Sequence, residues 1–132
     1  MKLQLKDKLP FVNIAIAYQG AMLDISSVLI DTGSATTILA TDIVAPIQIV
    51  PAHQDMLKRI RGVGGTEVVF SRNLDYLQVD NSRLSNIRVD IGGMDYGFEI
   101  NGILGMDVLT QAGAVIDLQR MTITFLNEIT DP

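Results

Sequence analysis

Apolar and polar residues alternate along much of the chain. A period of two is typical of β-strands, because successive side chains point to opposite faces of a sheet. The pattern predicts strands at residues 11–18, 27–30, 66–70, 76–79, 87–91, 114–118 and 121–125. Only two short stretches, residues 106–112 before Gly113 and residues 41–45 before Pro46, have helical character. The sequence therefore predicts a mainly β protein in which helix is minor.

Turn-forming residues separate the predicted strands and indicate short connections, as in β-hairpins. These turns lie at Gln19-Gly20, 62–65, 80–82, Gly92-Gly93 and 117–120. Two further segments, 27–33 and 99–105, each combine an apolar strand with a terminal glycine. No linker or low-complexity run interrupts the chain, so residues 1–132 are expected to form a single domain.

Composition and charge narrow the classes of partner. The chain has 132 residues, 48% of them hydrophobic and 19% charged, which is typical of a globular protein. A net charge of −5 argues against broad electrostatic binding to nucleic acid or to an anionic membrane. No run of about 18 apolar residues occurs, and the first residues lack the apolar core of a signal peptide. The sequence favours a cytoplasmic location, although a signal or anchor removed beforehand would leave no trace.

The inventory of reactive side chains excludes several chemistries. Without cysteine there is neither thiol catalysis nor a cysteine metal site. The single histidine, His53, lies in a polar stretch and is expected in an exposed loop rather than in a catalytic triad. The glycine cluster at 62–65 lacks the Lys-Ser/Thr of a phosphate loop, Glu67 replaces a dinucleotide-binding glycine, and residues 80–82 lack the remaining ligands of a calcium loop. We therefore predict no cofactor and no metal.

A carboxylate between two apolar segments is the main candidate for chemistry. Asp31 follows the apolar run 28–30, and apolar residues resume within 35–39. Burying a carboxylate is costly unless hydrogen bonds or a partner charge compensate for it, so Asp31 is a functional candidate. Asp-x-Gly is also common in hairpin turns. Local spacing therefore leaves two interpretations open, a functional carboxylate and an ordinary turn.

Three blocks in the same order resemble the retropepsin-like aspartic proteases. They are Asp-Thr-Gly-Ser at 31–34, Ile-Arg-Gly-Val-Gly-Gly-Thr at 60–66 and Gly-Ile-Leu-Gly-Met-Asp-Val-Leu at 102–109. The resemblance implies, in turn, a catalytic loop, a glycine-rich flap hairpin, and a strand that passes behind the catalytic loop and leads into a short helix. It thus implies a single-lobe, closed β-barrel-like fold with one short helix in the C-terminal part.

The resemblance also assigns roles around the loop. Asp31 would be catalytic, and Gly33 would allow close approach of the second loop and the substrate. Thr32 would hydrogen-bond the opposite loop across a dimer, and the Ser34 hydroxyl would donate to an outer carboxylate oxygen. The alternative is that Thr32 and Ser34 simply fill a turn.

The predicted substrate-binding residues fall into three groups. They are one residue that follows the catalytic loop, the residues of the flap tip, and two residues that form an apolar wall. The flap would bend over an extended peptide, and the wall would favour large hydrophobic residues around the scissile bond. A rigid hairpin and a simple core position are the respective alternatives. The residues are Ala35, Gly62, Val63, Gly64, Gly65, Ile103 and Leu104.

Departures from the retroviral pattern indicate a cellular or bacterial type of single-lobe enzyme. Where retroviral members have acidic residues and a later basic residue, this chain has Ala35, Thr36 and Met106. Both halves of that ion pair are absent together, so no charge is left unpaired. The chain also continues through 114–125 as a predicted extra hairpin, so the retroviral terminal-strand dimer sheet does not transfer directly.

One motif implies two chains. Aspartic protease chemistry needs one carboxylate as general base and a second, protonated carboxyl that polarises the scissile carbonyl. Since this chain has a single Asp-Thr-Gly loop, we expect a homodimer with one Asp31 per subunit that cuts an extended peptide or protein as an endopeptidase. The alternative is a protease-derived peptide-binding or dimerisation module without turnover.

Overall fold

The computed structural model describes residues 1–62, 65–94 and 99–127, without the side chains of residues 60–68. This part of the chain is mainly β and contains short helical elements. The strands are β1 (Gln4–Lys6), β2 (Leu9–Tyr18), β3 (Ala21–Ile30), β4 (Ile38–Ala40), β5 (Lys58–Gly62), β6 (Gly65–Val79), β7 (Ser82–Gly92), β8 (Gly102–Leu104), β9 (Ala114–Asp117) and β10 (Thr122–Phe125). The helices are α1 (Thr41–Val44) and α2 (Met106–Gln111), with a 3-10 turn at Ala45–Ile47.

Pairing among the strands closes a barrel. Going round it, β2 pairs with β3, then come β8, β4, β7 and β6, and β6 pairs back with β2. β1 extends the sheet beyond β2, and β5 extends it beyond β6. Closure leaves no unpaired edge between these strands, which satisfies their backbone groups internally. The mainly β, closed-barrel prediction is confirmed.

Alternation along the strands fills the barrel. In β2, Val12, Ile14 and Ile16 are buried in the main hydrophobic cluster, whereas Asn13 between them is exposed. A smaller cluster gathers Phe11, Ile100 and Ile103 on another face. Burial of these side chains contributes roughly 1.5–3 kcal/mol each and is the main stabilising contribution to the barrel.

β6 is one long strand, whereas the sequence predicts two, at 66–70 and 76–79. The residues between them are mostly polar, and Ser71 and Arg72 find partners in the folded chain. The Ser71 hydroxyl donates to Asp90 Oδ1 at 2.7 Å, and the Arg72 guanidinium pairs with Asp55. Because these tertiary contacts satisfy the polar groups, the ladder with β7 runs on without interruption.

β3 starts at Ala21, well before the predicted 27–30. Its register against β2 shifts between Val12 and Ile14, and Ser27 has a φ of 56°. An extra residue in one strand of a pair leaves the local pattern out of phase, which hides the strand from a period-two reading. The irregularity bends β3 just before its end at Ile30.

The C-terminal elements largely match prediction. The predicted helix at 106–112 appears as α2, and Gly113 follows it with a φ of +64°, a left-handed conformation that glycine adopts at little cost. The predicted hairpin at 114–125 is β9 and β10. The first residues of the chain pair with β10, since Ile123 exchanges hydrogen bonds with Met1. Within the described ranges, no helix is both long and apolar enough to span a membrane.

Candidate active site

Asp31 lies where three strands converge at one end of the barrel. It directly follows β3, which pairs in parallel with β8, and β4 pairs with the other side of β8. The chain must therefore cross the end of β8 between residues 31 and 37. The Asp31 amide donates to the Leu104 carbonyl at 3.0 Å, which fixes the start of this loop on the barrel.

The Asp31 carboxylate is held locally and remains accessible. The Gly33 amide donates to Asp31 Oδ1 at 2.9 Å, and the Ser34 amide donates to the Asp31 carbonyl at 3.2 Å. Asp31 is half-buried, whereas Thr32 and Gly33 are exposed. The loop thus presents an oriented carboxylate, flanked by surface residues, to whatever covers this end of the barrel.

Ser34 differs from expectation within the single chain. Its hydroxyl donates to the Thr36 carbonyl at 2.7 Å. A hydroxyl has only one hydrogen to donate, so in this arrangement Ser34 gives none to Asp31. The contact closes the second half of the loop and makes Ser34 a residue that shapes the loop backbone.

Gly105 is required where the loop crosses β8. A Cβ at this position would lie 2.4 Å from the Thr36 carbonyl oxygen and 2.9 Å from that of Ser34. These are backbone atoms, which cannot move aside as a flexible side chain can. The next amide, that of Met106, donates to the Ser34 carbonyl at 2.8 Å. The loop therefore lies directly on the glycine.

Asp107 and Thr37 fasten the far end of the loop, a role absent from the predicted site residues. The Asp107 carboxylate accepts from the Thr37 hydroxyl at 2.8 Å and from the Thr37 amide at 3.1 Å. The Thr37 hydroxyl in turn accepts from the Gly105 amide at 3.1 Å. Asp107 also stands in the first turn of α2, where a carboxylate is favoured by the helix dipole. Its place in the third sequence block was the available signal.

The sequence block predicted to form a flap falls on the hairpin of β5 and β6. Gly62 pairs with Gly65, so the described backbone of the two strands leads to the predicted tip. Val63 and Gly64 lie outside the described residues, and so do side chains at 60–68. The hairpin is anchored at its other end, where Arg72 of β6 binds the Asp55 carboxylate.

The other predicted substrate-binding residues divide between surface and core. Ala35 is exposed, and its carbonyl accepts from the Asp107 amide at 3.3 Å. Leu104 is fully buried in the main cluster and has no surface to offer a peptide, so the simple core role left open by the sequence is the one it occupies. Ile103 is 6% exposed in the small cluster. His53 is exposed, as expected.

A family model matches the part of the chain that contains this loop. The model, described as aspartyl protease, matches residues 18–108, which is more than half of the chain and includes the first two sequence blocks and the third up to residue 108. The chain belongs to the aspartyl protease family. The matched region of this aspartyl protease family member runs from the end of β2 through the loop at Asp31 to the start of α2.

A comparison with solved structures leads to the same fold. The retroviral EIAV protease, complexed with an inhibitor, is similar to this family member at 25% sequence identity and a TM-score of 0.60, covering 85% of this chain and 95% of the viral one. No curated protein matches the sequence. The chain therefore has a retropepsin-like fold. The matching family and the matching solved structure are both named as proteases.

Proposed function

We propose that this protein is a homodimeric aspartic endopeptidase whose active site contains one Asp31 from each subunit. The observation that carries the proposal is an exposed, braced Asp-Thr-Gly loop that occurs once in the chain. It supplies one carboxylate where the chemistry needs two. A two-fold axis beside the loop would supply the second from an identical chain.

Peptide hydrolysis by such a pair needs one shared proton. Two carboxylates a few ångströms apart cannot both be charged at low cost, so one is protonated and the other ionised. The ionised carboxylate takes a proton from water as the water oxygen bonds to the scissile carbonyl carbon, and the protonated carboxyl gives its proton to the carbonyl oxygen. When the C–N bond breaks, the amine nitrogen takes the proton of the protonated carboxyl, and one hydroxyl of the diol gives its proton to the ionised carboxyl. The diol thereby becomes a carboxylic acid, and the pair again holds one shared proton.

Water supplies the attacking oxygen and the two carboxyls transfer the protons, so the proposed mechanism uses no cofactor. The substrate is an extended peptide between the Asp31 loop and the β5–β6 hairpin. Gly62 and Gly65 place backbone groups at the end of that hairpin, and extended peptides bind readily to such groups through main-chain hydrogen bonds. Val63 and Gly64 would complete the cover, and exposed Ala35 and nearly buried Ile103 would flank the peptide.

The decisive experiment replaces the carboxylate and measures peptide cleavage. Asp31→Asn should lower kcat/KM by about a thousandfold or more, because the amide cannot take up the water proton. Folding should survive, since the amide is isosteric. Asp24→Asn is the matched control, because Asp24 is an exposed carboxylate on β3 and its loss removes the same charge.

The result also separates an enzyme from a binding module. Activity of Asp31→Asn within a few-fold of wild type would refute the mechanism. A wild-type protein that binds a statine-type mimic of the transition state but cleaves no peptide would indicate a protease-derived module instead.

A further inference from the structure

A pocket of about 330 Å³, lined mostly by residues of polar and charged types, adjoins the candidate site. Its wall includes Thr36 from the end of the catalytic loop and Lys58 from the flap strand β5. These are the two elements between which the proposed function places the peptide. A side chain of that peptide, some distance from the scissile bond, would therefore point toward this pocket.

The carboxylates of the pocket are either buried or occupied by hydrogen bonds. Asp90 has a side chain only 4% exposed, and its Oδ1 accepts from Ser71 at 2.7 Å and lies 3.1 Å from the Lys58 ammonium. Its Oδ2 is buried and has no hydrogen-bond partner among the described residues. Asp107 accepts from Thr37 through both carboxylate oxygens and also from the Val108 amide at 2.8 Å. Neither carboxylate is well placed to receive a cation from outside.

The basic groups face the solvent instead. The Lys58 side chain is 48% exposed although its ammonium touches Asp90, so it keeps donors for another partner. Arg88, on β7, also lines the pocket and is exposed. The exposed charged side chains of the pocket are therefore both basic, whereas its two carboxylates are buried or half-buried.

We propose that this pocket is a specificity subsite for an acidic substrate side chain, bound by Lys58 and Arg88. The inference rests on the proposed peptidase function and adds a preference to it. Asp90 acts beneath the subsite as a positioning residue that holds the Lys58 ammonium at the pocket. A glutamate or aspartate would form charge-assisted hydrogen bonds there, which are stronger than neutral ones.

The test compares peptides that differ only in charge. A neutral parent peptide that the protein binds is altered at each flanking position in turn to Glu, Gln or Lys. At one position, Glu should raise kcat/KM about fivefold over Gln, and the advantage should shrink with added salt. The same peptides with a reduced, non-cleavable scissile bond are measured by calorimetry, so the preference is read in Kd without turnover.

Variants assign the preference to the pocket. Lys58→Met should abolish the Glu advantage, and Lys58→Arg should keep it. Since Lys58→Met leaves the buried Asp90 carboxylate without its ammonium, the double variant K58M/D90N provides a second form without that unpaired charge. Arg59→Met is the matched control. Arg59 is exposed and follows Lys58 on the same strand, so its side chain points to the opposite face from that of Lys58.

The outcomes separate the subsite from the peptidase. Equal Kd and kcat/KM for Glu and Gln at every position, a preference for Lys, or a Glu advantage unchanged in both Lys58→Met forms would overturn the subsite. A neutral parent peptide that binds but is never cut, alongside a Glu advantage in Kd that depends on Lys58, would overturn the peptidase and support the subsite.

Discussion

The position of the Asp31 loop depends most directly on Gly105. Its backbone φ of −93° is ordinary, so the requirement for glycine here comes from space and not from conformation. The loop carbonyls of Thr36 and Ser34 occupy the volume that any Cβ would need. The glycine thereby lets the loop lie on β8 and keeps Asp31 at the end of the barrel.

Replacing Gly105 by alanine should destabilise the protein by about 2 kcal/mol, because overpacking against backbone forces the loop to shift. Urea unfolding measures the loss of free energy. Gly102→Ala is the graded comparison, since its Cβ would meet the mobile Leu39 side chain at 3.1 Å and the Ile38 carbonyl at 3.2 Å. A loss for Gly105→Ala no larger than that for Gly102→Ala would contradict the argument.

At the scale of elements, the flap hairpin is anchored by an ion pair at its base. Arg72 of β6 donates to both oxygens of Asp55, to the Val50 carbonyl at 2.7 Å, and lies over the Phe70 ring at 4.8 Å. The hydrogen bond from Arg72 lowers the pKa of Asp55, and Asp55 raises the pKa of Arg72. This pair joins the loop before β5 to β6, the second strand of the hairpin.

Asp55 should make the stability of the protein dependent on acid pH. A carboxyl whose folded pKa is lowered stabilises the fold above its ordinary value of 3.8, and this contribution disappears as pH falls through the lowered value. Asp55→Asn should therefore lower Tm at neutral pH, and the gap to wild type should narrow below about pH 4. A Tm difference that stays constant from pH 7 to the acid limit would refute the role of the pair.

At the scale of the whole molecule, the N-terminal segment is hydrogen-bonded to β10 and the turn before it within one subunit. Met1 and Leu3 hydrogen-bond Ile123 and Met121, so the N-terminal segment adds to the sheet of β9 and β10. A proposed dimer that simply exchanged terminal strands would have to break these bonds. This supports the expectation that the dimer contact differs from the retroviral arrangement.

A shared active site should make activity depend on subunit pairing. Specific activity should fall on dilution as dimers dissociate. In an equimolar mixture with Asp31→Asn, exchange leaves about a quarter of dimers with two aspartates, so activity per wild-type subunit should drop to about half. Mixing with the active control Asp24→Asn should leave the activity per total subunit unchanged. A protein that is monomeric in sedimentation experiments and fully active would refute the shared site. So would an Asp31→Asn mixture that loses no activity.

Structural features that depend on neighbouring residues can be predicted from the amino-acid sequence alone. Period-two alternation predicts the strands that bury one face, and Gly113 marks the end of α2 because only its own backbone must turn. The three sequence blocks, with Asp31 in the first, identify the fold and the candidate carboxylate. The barrel, both short helices and the last hairpin follow from such local signals and from that resemblance.

Contacts between polar groups that are distant in the chain depend on the tertiary structure. The continuity of β6 depends on Asp55 and Asp90, which lie far from Ser71 and Arg72 in the chain. The Thr37–Asp107 contact joins residues 70 positions apart. Hydrophobic patterning fixes which face of a strand is buried, but a hydrogen-bond partner depends on how the closed barrel brings separate strands together. That is why the brace of the Asp31 loop and the pocket beside it become visible only in the fold.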